Sequence, residues 1–421
     1  MDFSKLLSDP VGFIAKLLTD LLVGQLHFPA PLVNVILMII GVVVVASFCL
    51  VFPLFLIWFE RRVVARMQDR IGPNRVGWQG LLQTIADALK LLSKEDITPI
   101  GADKVAYNIS PVLAVVAVIS MWAVIPFAHN MVGTDINIGA LYIVSVGSLG
   151  TLAIMMGGWA SNNKYALLGA FRTVAQLVSY EVPMILSLLV PVILARSMGL
   201  NDIVRAQSSV WFIFSAPLAA FIFFATSVAE VGRTPFDLLE AESEIVAGFH
   251  IEYSGMKFAM FFVAEFMHAF TVGALTAILF LGGWQGPWAE QVPWLGVVYF
   301  MLKAFVGYFL VILLRATLPR IRIDHMLDLN WKFFTPVALG AVVCTMITDK
   351  LIPTGVSPWV RGGGLFLANL ILGWLTFFLL SGAARKMRQE EEGAGEGHAS
   401  HAEEIGHDAH APAEAHAAPA H

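Results

Sequence analysis

A chain of 421 residues that is 57% hydrophobic and only 14% charged, with a mean hydropathy of +0.74, cannot be a soluble domain, because one core could not hide that much apolar side chain. Its formal net charge of −5, much of it contributed by the C-terminal tail, argues against nucleic acid as a partner and leaves lipid as the solvent. The two cysteines, Cys49 and Cys344, lie in separate apolar runs without CxxC spacing, so no iron–sulfur cluster, haem or other metal of its own is expected, and electrons for any redox chemistry must come from a partner.

The start, "MDFSKLLSDP", lacks a basic segment followed by a small-residue cleavage site, so the first apolar run reads as a retained span. Nine stretches approach the 20 or so apolar residues that a helix needs to cross hydrocarbon: 33–58, 108–128, 139–160, 166–195, 211–230, 257–283, 295–316, 333–349 and 363–381. The eighth is short and carries Pro336. The expected fold is therefore all-α, a polytopic transmembrane bundle of eight to nine spans. With the N-terminus outside, the inner-side segments hold 19 of the 26 basic residues, which places the C-terminus in the cytoplasm.

Span one ends in "ERRVVARMQDRIGPN", residues 60 to 74, whose arginines read as interfacial anchors. The turn "RIGPNRVG" leads into residues 78–96, where Gln83, Asp87, Lys90 and Lys94 share one helical face and Leu81, Leu82, Ile85, Leu89 and Leu92 fill the rest. Too short and too polar to span, this helix is expected to lie along the inner interface or against the bundle. Further on, Glu181 sits inside an apolar span two residues before Pro183, which frees a backbone carbonyl nearby; an acid there is either helix-packing glue or a relay group.

The segment "EVGRTPFDLLEAESEIV", residues 230 to 246, concentrates Glu230, Arg233, Asp237, Glu240, Glu242 and Glu244 on the inner side. Thr234-Pro235-Phe236-Asp237 has the letters of an N-cap, an N1 proline and a capping-box acid, predicting a helix from Pro235 to about Gly248 with Asp237, Glu240 and Glu244 in one stripe. Glu265 and His268 share a face of span six and could exchange a proton or form a structural pair. Lys303 in span seven could snorkel outward. "RATLPRIRIDHMLDLNW", residues 315 to 331, reads as a charged docking surface for a cytoplasmic partner. Composition thus divides the chain into an N-terminal segment (1–32), a main bundle (33–350), an additional transmembrane helix (351–384) and a His-, Ala- and Glu-rich tail (385–421) expected to be disordered.

Four of these stretches, "ERRVVARMQDRIGPNRVGWQGLLQTIADALKLLSKED", "LVSYEVPM", "EVGRTPFDLLEAESEIVAGFHIEYSGMKFAMFFVAEF" and "RATLPRIRIDHMLDLNWKF", resemble the H-subunit family of bacterial NADH-quinone oxidoreductase, respiratory complex I, equivalent to mitochondrial subunit 1. The resemblance covers residues 30 to 350; members commonly have eight spans, so the ninth span and the tail depart from the pattern. It implies a subunit of the bacterial cytoplasmic membrane without a catalytic or redox centre of its own, with FMN and iron–sulfur clusters in partner subunits and a quinone as substrate. The implied partners are the hydrophilic-arm subunits bearing the terminal iron–sulfur cluster, antiporter-like and small membrane subunits, and lipid. By matching motif, Arg61, Arg70, Asp87, Glu230 and Arg233 would line the quinone tunnel. Asp237, Glu240, Glu242, Glu244, Glu181 and Glu265 would couple it to proton translocation. From the residues alone, an autonomous proton-coupled transporter or the related membrane subunit of an energy-converting hydrogenase remains an alternative.

Overall fold

The computed structural model describes residues 9–25, 28–237, 246–353, 356–379 and 381–382. No strand occurs among them, and eight helices are long and apolar enough to cross a membrane. In chain order the helices are α1 (Pro10–Thr19), α2 (Ala30–Met67), α3 (Gln83–Ser93), α4 (Lys104–Trp122), α5 (Gly139–Ala160), α6 (Lys164–Ala195) and α7 (Leu200–Ala206). They continue as α8 (Pro217–Val231), α9 (Gly255–Phe280), α10 (Pro293–Thr317), α11 (Ile323–Leu351) and α12 (Pro358–Leu379). The fifth expected span is α8, shorter at 15 residues and preceded by the single turn Phe212–Ser215. The tail from residue 383 lies outside the described residues.

Local chemistry sets several boundaries. Asp103 and Asn163 cap α4 and α6 by accepting from the backbone N–H of Val105 and Tyr165, and Pro217 and Pro293 open α8 and α10, where a missing N–H costs nothing. Gly232, at φ 71°, ends α8 in the left-handed region that glycine enters without strain. Inside α6, Pro183 cannot donate to the carbonyl of Ser179, and Asn330 donates to it instead at 2.7 Å, from a π-helical turn at Asn330–Phe334.

The chain divides into two compact units, Met1–Asn369 and Leu370–His421. In the first, α9 is the central helix, packing against α2, α3, α4, α8 and α10. Helices α4, α5 and α6 stand side by side, and α6 also meets α8 and α11. Small residues bring backbones together: a Cβ on Gly273 of α9 would lie 2.5 Å from the Ala304 carbonyl oxygen of α10. The start of α12 belongs to this unit, with Arg361 donating to Asp349 at 2.7 Å and Asn369 to the Ser215 carbonyl at 3.3 Å. In the second unit α12 ends, with Trp374 stacked on Phe378.

Three expectations change. Residues 78–96 are not one helix: a 3-10 turn at Trp78–Gly80, with Gln79 and Gly80 at positive φ, precedes α3. The helix expected from Pro235 to about Gly248 does not start at Pro235: residues 234–236 are turns and a bend, Gly248–His250 is a 3-10 turn, and residues 238–245 lie outside the described residues. The carbonyl of Pro235 accepts from the Ile321 N–H and that of Phe236 from the Gln176 amide, so tertiary partners take acceptors that a first helical turn would use. Lys303 does not reach outward alone; it donates to the carbonyls of Gly283 and Gln285 at 3.0 and 2.9 Å and lies 4.6 Å from the Trp211 ring centre.

Candidate functional site

Where α8 ends beside α9, a cavity gathers ionisable groups from several elements. Glu230 and Arg233 come from the end of α8 and the turn after it, Asp237 from that turn, and His250 from a 3-10 turn. Glu265 and His268 come from α9, and Arg315 from the end of α10. Phe258, Phe261 and Phe262 of α9, Ile154 of α5 and Leu177 of α6 supply apolar wall. Glu265 lies ten residues into α9, about 15 Å along the axis, so the cavity reaches well inside the bundle.

Arg233 is the pivot. Its side chain is 5% exposed, lies 3.4 Å from the Glu60 carboxylate and 3.0 Å from that of Glu265, and has its guanidinium 4.7 Å from the Phe266 ring centre. Glu60 also accepts from Arg315 and, at 3.0 Å, from the Tyr308 hydroxyl. The buried Arg233 and Glu60 are thus compensated by each other and by the half-buried Glu265 and Arg315, the arrangement that makes burying such groups tolerable.

Deeper in the cavity, His268 Nε2 lies 3.9 Å from Glu230 Oε1 of a neighbouring helix, beyond hydrogen-bond distance. Glu265, read from the sequence as its partner, pairs with Arg233. Glu181 follows the wall residue Leu177 by one turn of α6. At the mouth, burial lowers the His250 imidazole below its ordinary range, against the opposing pull of Glu265. Asp237 Oδ1 is buried and accepts no hydrogen bond among the described residues.

Of the residues predicted from sequence, Glu230, Arg233, Asp237 and Glu265 therefore meet in one cavity, with Glu181 adjoining. Arg61 and Asp87 pair with each other at 2.6 Å, joining α2 to α3, and Gln83 donates to the same carboxylate at 3.3 Å; neither Arg61 nor Asp87 lines the cavity. Arg70 is exposed and donates to Gln68 at 2.7 Å, also away from the cavity. Glu240, Glu242 and Glu244 lie outside the described residues.

The sequence reading missed Glu60, Tyr308 and Arg315 as site residues. Periodicity held a signal for the first: Cys49, Pro53, Leu56 and Glu60 are buried at spacings of four, three and four along α2, so Glu60 continues an inward stripe. Tyr308, Val311, Ile312 and Arg315 make a similar stripe on α10, the first three of them buried.

A protein-family model described as NADH dehydrogenase matches residues 39–346. The NADH-quinone oxidoreductase H subunit of Dehalococcoides mccartyi (strain CBDB1) is 47% identical over 348 residues, covering 82% of this chain and 96% of that protein. The H subunit of the same name from Geobacillus kaustophilus (strain HTA426) is 50% identical over 300 residues, 71% of this chain and 90% of that protein. For the one in Carboxydothermus hydrogenoformans (strain ATCC BAA-161 / DSM 6008 / Z-2901) the corresponding figures are 47% over 322 residues, 76% and 91%.

Proposed function

The chain belongs to the NADH dehydrogenase family, and from that premise we propose that it is the membrane subunit of a proton-translocating NADH-quinone oxidoreductase that shapes the quinone tunnel and couples quinone reduction to proton movement. The observation that carries this reading is the convergence of Glu230, Asp237, Glu265, His250 and His268 on one cavity beside a buried arginine pivot. Ionisable groups inside an apolar bundle are costly and collect where protons or ions move.

Reduction of a quinone to quinol takes up two electrons and two protons. The electrons come from the iron–sulfur cluster of a hydrophilic partner subunit, itself supplied through FMN. The part of this chain is to set the charge around the incoming head and to hold or pass protons. In this reading Arg61 and Asp87, which bridge α2 and α3, and Arg70 belong to the quinone's path outside the cavity, and Glu240, Glu242 and Glu244 join Asp237 in the proton coupling. Charge appearing at the quinone alters the protonation of Asp237 and Glu265. Arg233 bridges Glu265 to Glu60, and in this reading Glu230 and Glu181 carry the change toward the neighbouring membrane subunits. The exposed apolar residues of α3, among them Leu89 and Leu92, and Leu82 just before it suit an inner-face helix lying against lipid and the quinone's path. The chain is read as a multi-pass protein of the bacterial cytoplasmic membrane, N-terminus outside and C-terminus in the cytoplasm.

The test is Glu230→Gln in the assembled complex in sealed vesicles. Quinone-linked NADH oxidation and proton pumping should fall together by about 100-fold, the lower end of what a proton-transfer group contributes, while NADH oxidation by ferricyanide persists. Wild-type quinone-linked rates in this variant would remove Glu230 from the pathway.

A further inference from the structure

Gln176 is an amide in the middle of α6, fully buried, at a position where an apolar side chain would be cheaper. Its Nε2 donates to the carbonyl of Ala229 at 2.6 Å and to the carbonyl of Phe236 at 2.8 Å. Ala229 immediately precedes Glu230, and Phe236 immediately precedes Asp237, both of which line the cavity. One side chain therefore grips the two peptide groups that lead into two of the site's carboxylates.

Between those grips lies the turn that presents Arg233, with Gly232 at φ 71° and the Phe236 N–H bonded to the Arg233 carbonyl at 2.9 Å. One turn along α6, Tyr180 donates to the Met326 carbonyl at 2.9 Å and packs its ring 5.3 Å from that of Phe236, bracing the same segment. The amide orientation is fixed by chemistry: exchanging nitrogen and oxygen would set an acceptor against two carbonyl oxygens. Gln176 Oε1 accepts no hydrogen bond among the described residues, so the two N–H bonds are what this amide contributes.

We infer that Gln176 is a positioning residue, fixing the spacing of Glu230, Arg233 and Asp237 by clamping both ends of the segment that carries them. The consequence for proton coupling rests on the proposed function above; the clamp itself does not. A leucine of similar size would fill the space and leave both carbonyls without this donor. Gln176→Glu is more discriminating: its carboxylate repels both carbonyls, whereas its protonated form keeps one donor.

The experiment uses the assembled complex. In Gln176→Leu, the ratio of quinone-linked to ferricyanide-linked NADH oxidation should fall about tenfold or more, the scale expected for reacting groups held slightly out of place. A cryo-EM map of that variant should show the Arg233 guanidinium drawn away from Glu60 and Glu265. A wild-type ratio together with a wild-type Arg233 position would overturn the clamp. A displaced Arg233 with a wild-type ratio would uphold the clamp and count against the proton-coupling reading instead.

Gln176→Glu keeps the test decisive if the leucine variant does not assemble. Its ratio, divided by that of the wild type at each pH to cancel titration of Glu181, Glu230, Asp237, His250, Glu265 and His268, should rise as pH falls. A flat quotient would overturn the clamp.

Discussion

Arg233→Met should lower the stability of the protein by about 3–5 kcal/mol, the cost of breaking a buried ion pair by removing one partner. Arg233 lies between Glu60 and Glu265 with 5% of its side chain exposed, so water cannot take over its role. Arg315 and Tyr308 still face Glu60, but Glu265 loses a guanidinium 3.0 Å away. Thermal inactivation of the detergent-solubilised complex measures the effect. Adding Glu265→Gln to Arg233→Met should recover much of the loss, since Arg315 still pairs with Glu60 and the side chain at 265 then carries no charge to compensate. Arg233→Lys should fall between, because an ammonium cannot reach two carboxylates in the fixed fork of a guanidinium. A methionine variant as heat-stable as the wild type would mean that this set contributes nothing to holding α2, α9 and α10 together.

Gly273→Val should block assembly. The added Cβ would sit 2.5 Å from the Ala304 carbonyl oxygen and 2.8 Å from the Tyr308 backbone nitrogen, and these are backbone atoms that cannot rotate aside. A Cβ on Gly307 would in turn come within 2.7 Å of the Gly273 Cα, so the two helices touch backbone to backbone at this level. Relief requires α10 to move outward, which carries Tyr308 off Glu60 as well. The cost should reach or exceed the upper end of the ~1–3 kcal/mol typical of overpacked cores. Native gel electrophoresis of membrane extracts should show the intact complex depleted in the valine variant and partly retained in Gly273→Ala. Full assembly of the valine variant would contradict so close an approach.

The span pattern was legible because lipid leaves few solutions: apolar runs of sufficient length must be helices, and they are. Glu230, Glu265 and Arg233 were legible for the complementary reason, that a charge in or beside such a run is conspicuous. What the sequence could not reveal is pairing across distance. Glu60 and Arg315 stand where ordinary interfacial charges stand, and nothing local marks them as partners 255 residues apart. Likewise, Thr234 and Asp237 carried capping-box letters, yet the carbonyls of Pro235 and Phe236 are claimed by Ile321 and Gln176, remote donors that local pattern cannot weigh. His268 was visible, but the acid expected beside it, Glu265, pairs with Arg233, and Glu230 of a neighbouring helix stands 3.9 Å away.

On the proposed function, the cavity carboxylates change protonation as the quinone is reduced. Infrared difference spectroscopy of the assembled complex, recorded between its quinone and quinol states, tests it most directly. A carboxyl band should respond to quinone reduction in the wild type and be missing from Glu230→Gln. A variant with the wild-type difference spectrum and the wild-type rate of quinone reduction would contradict it.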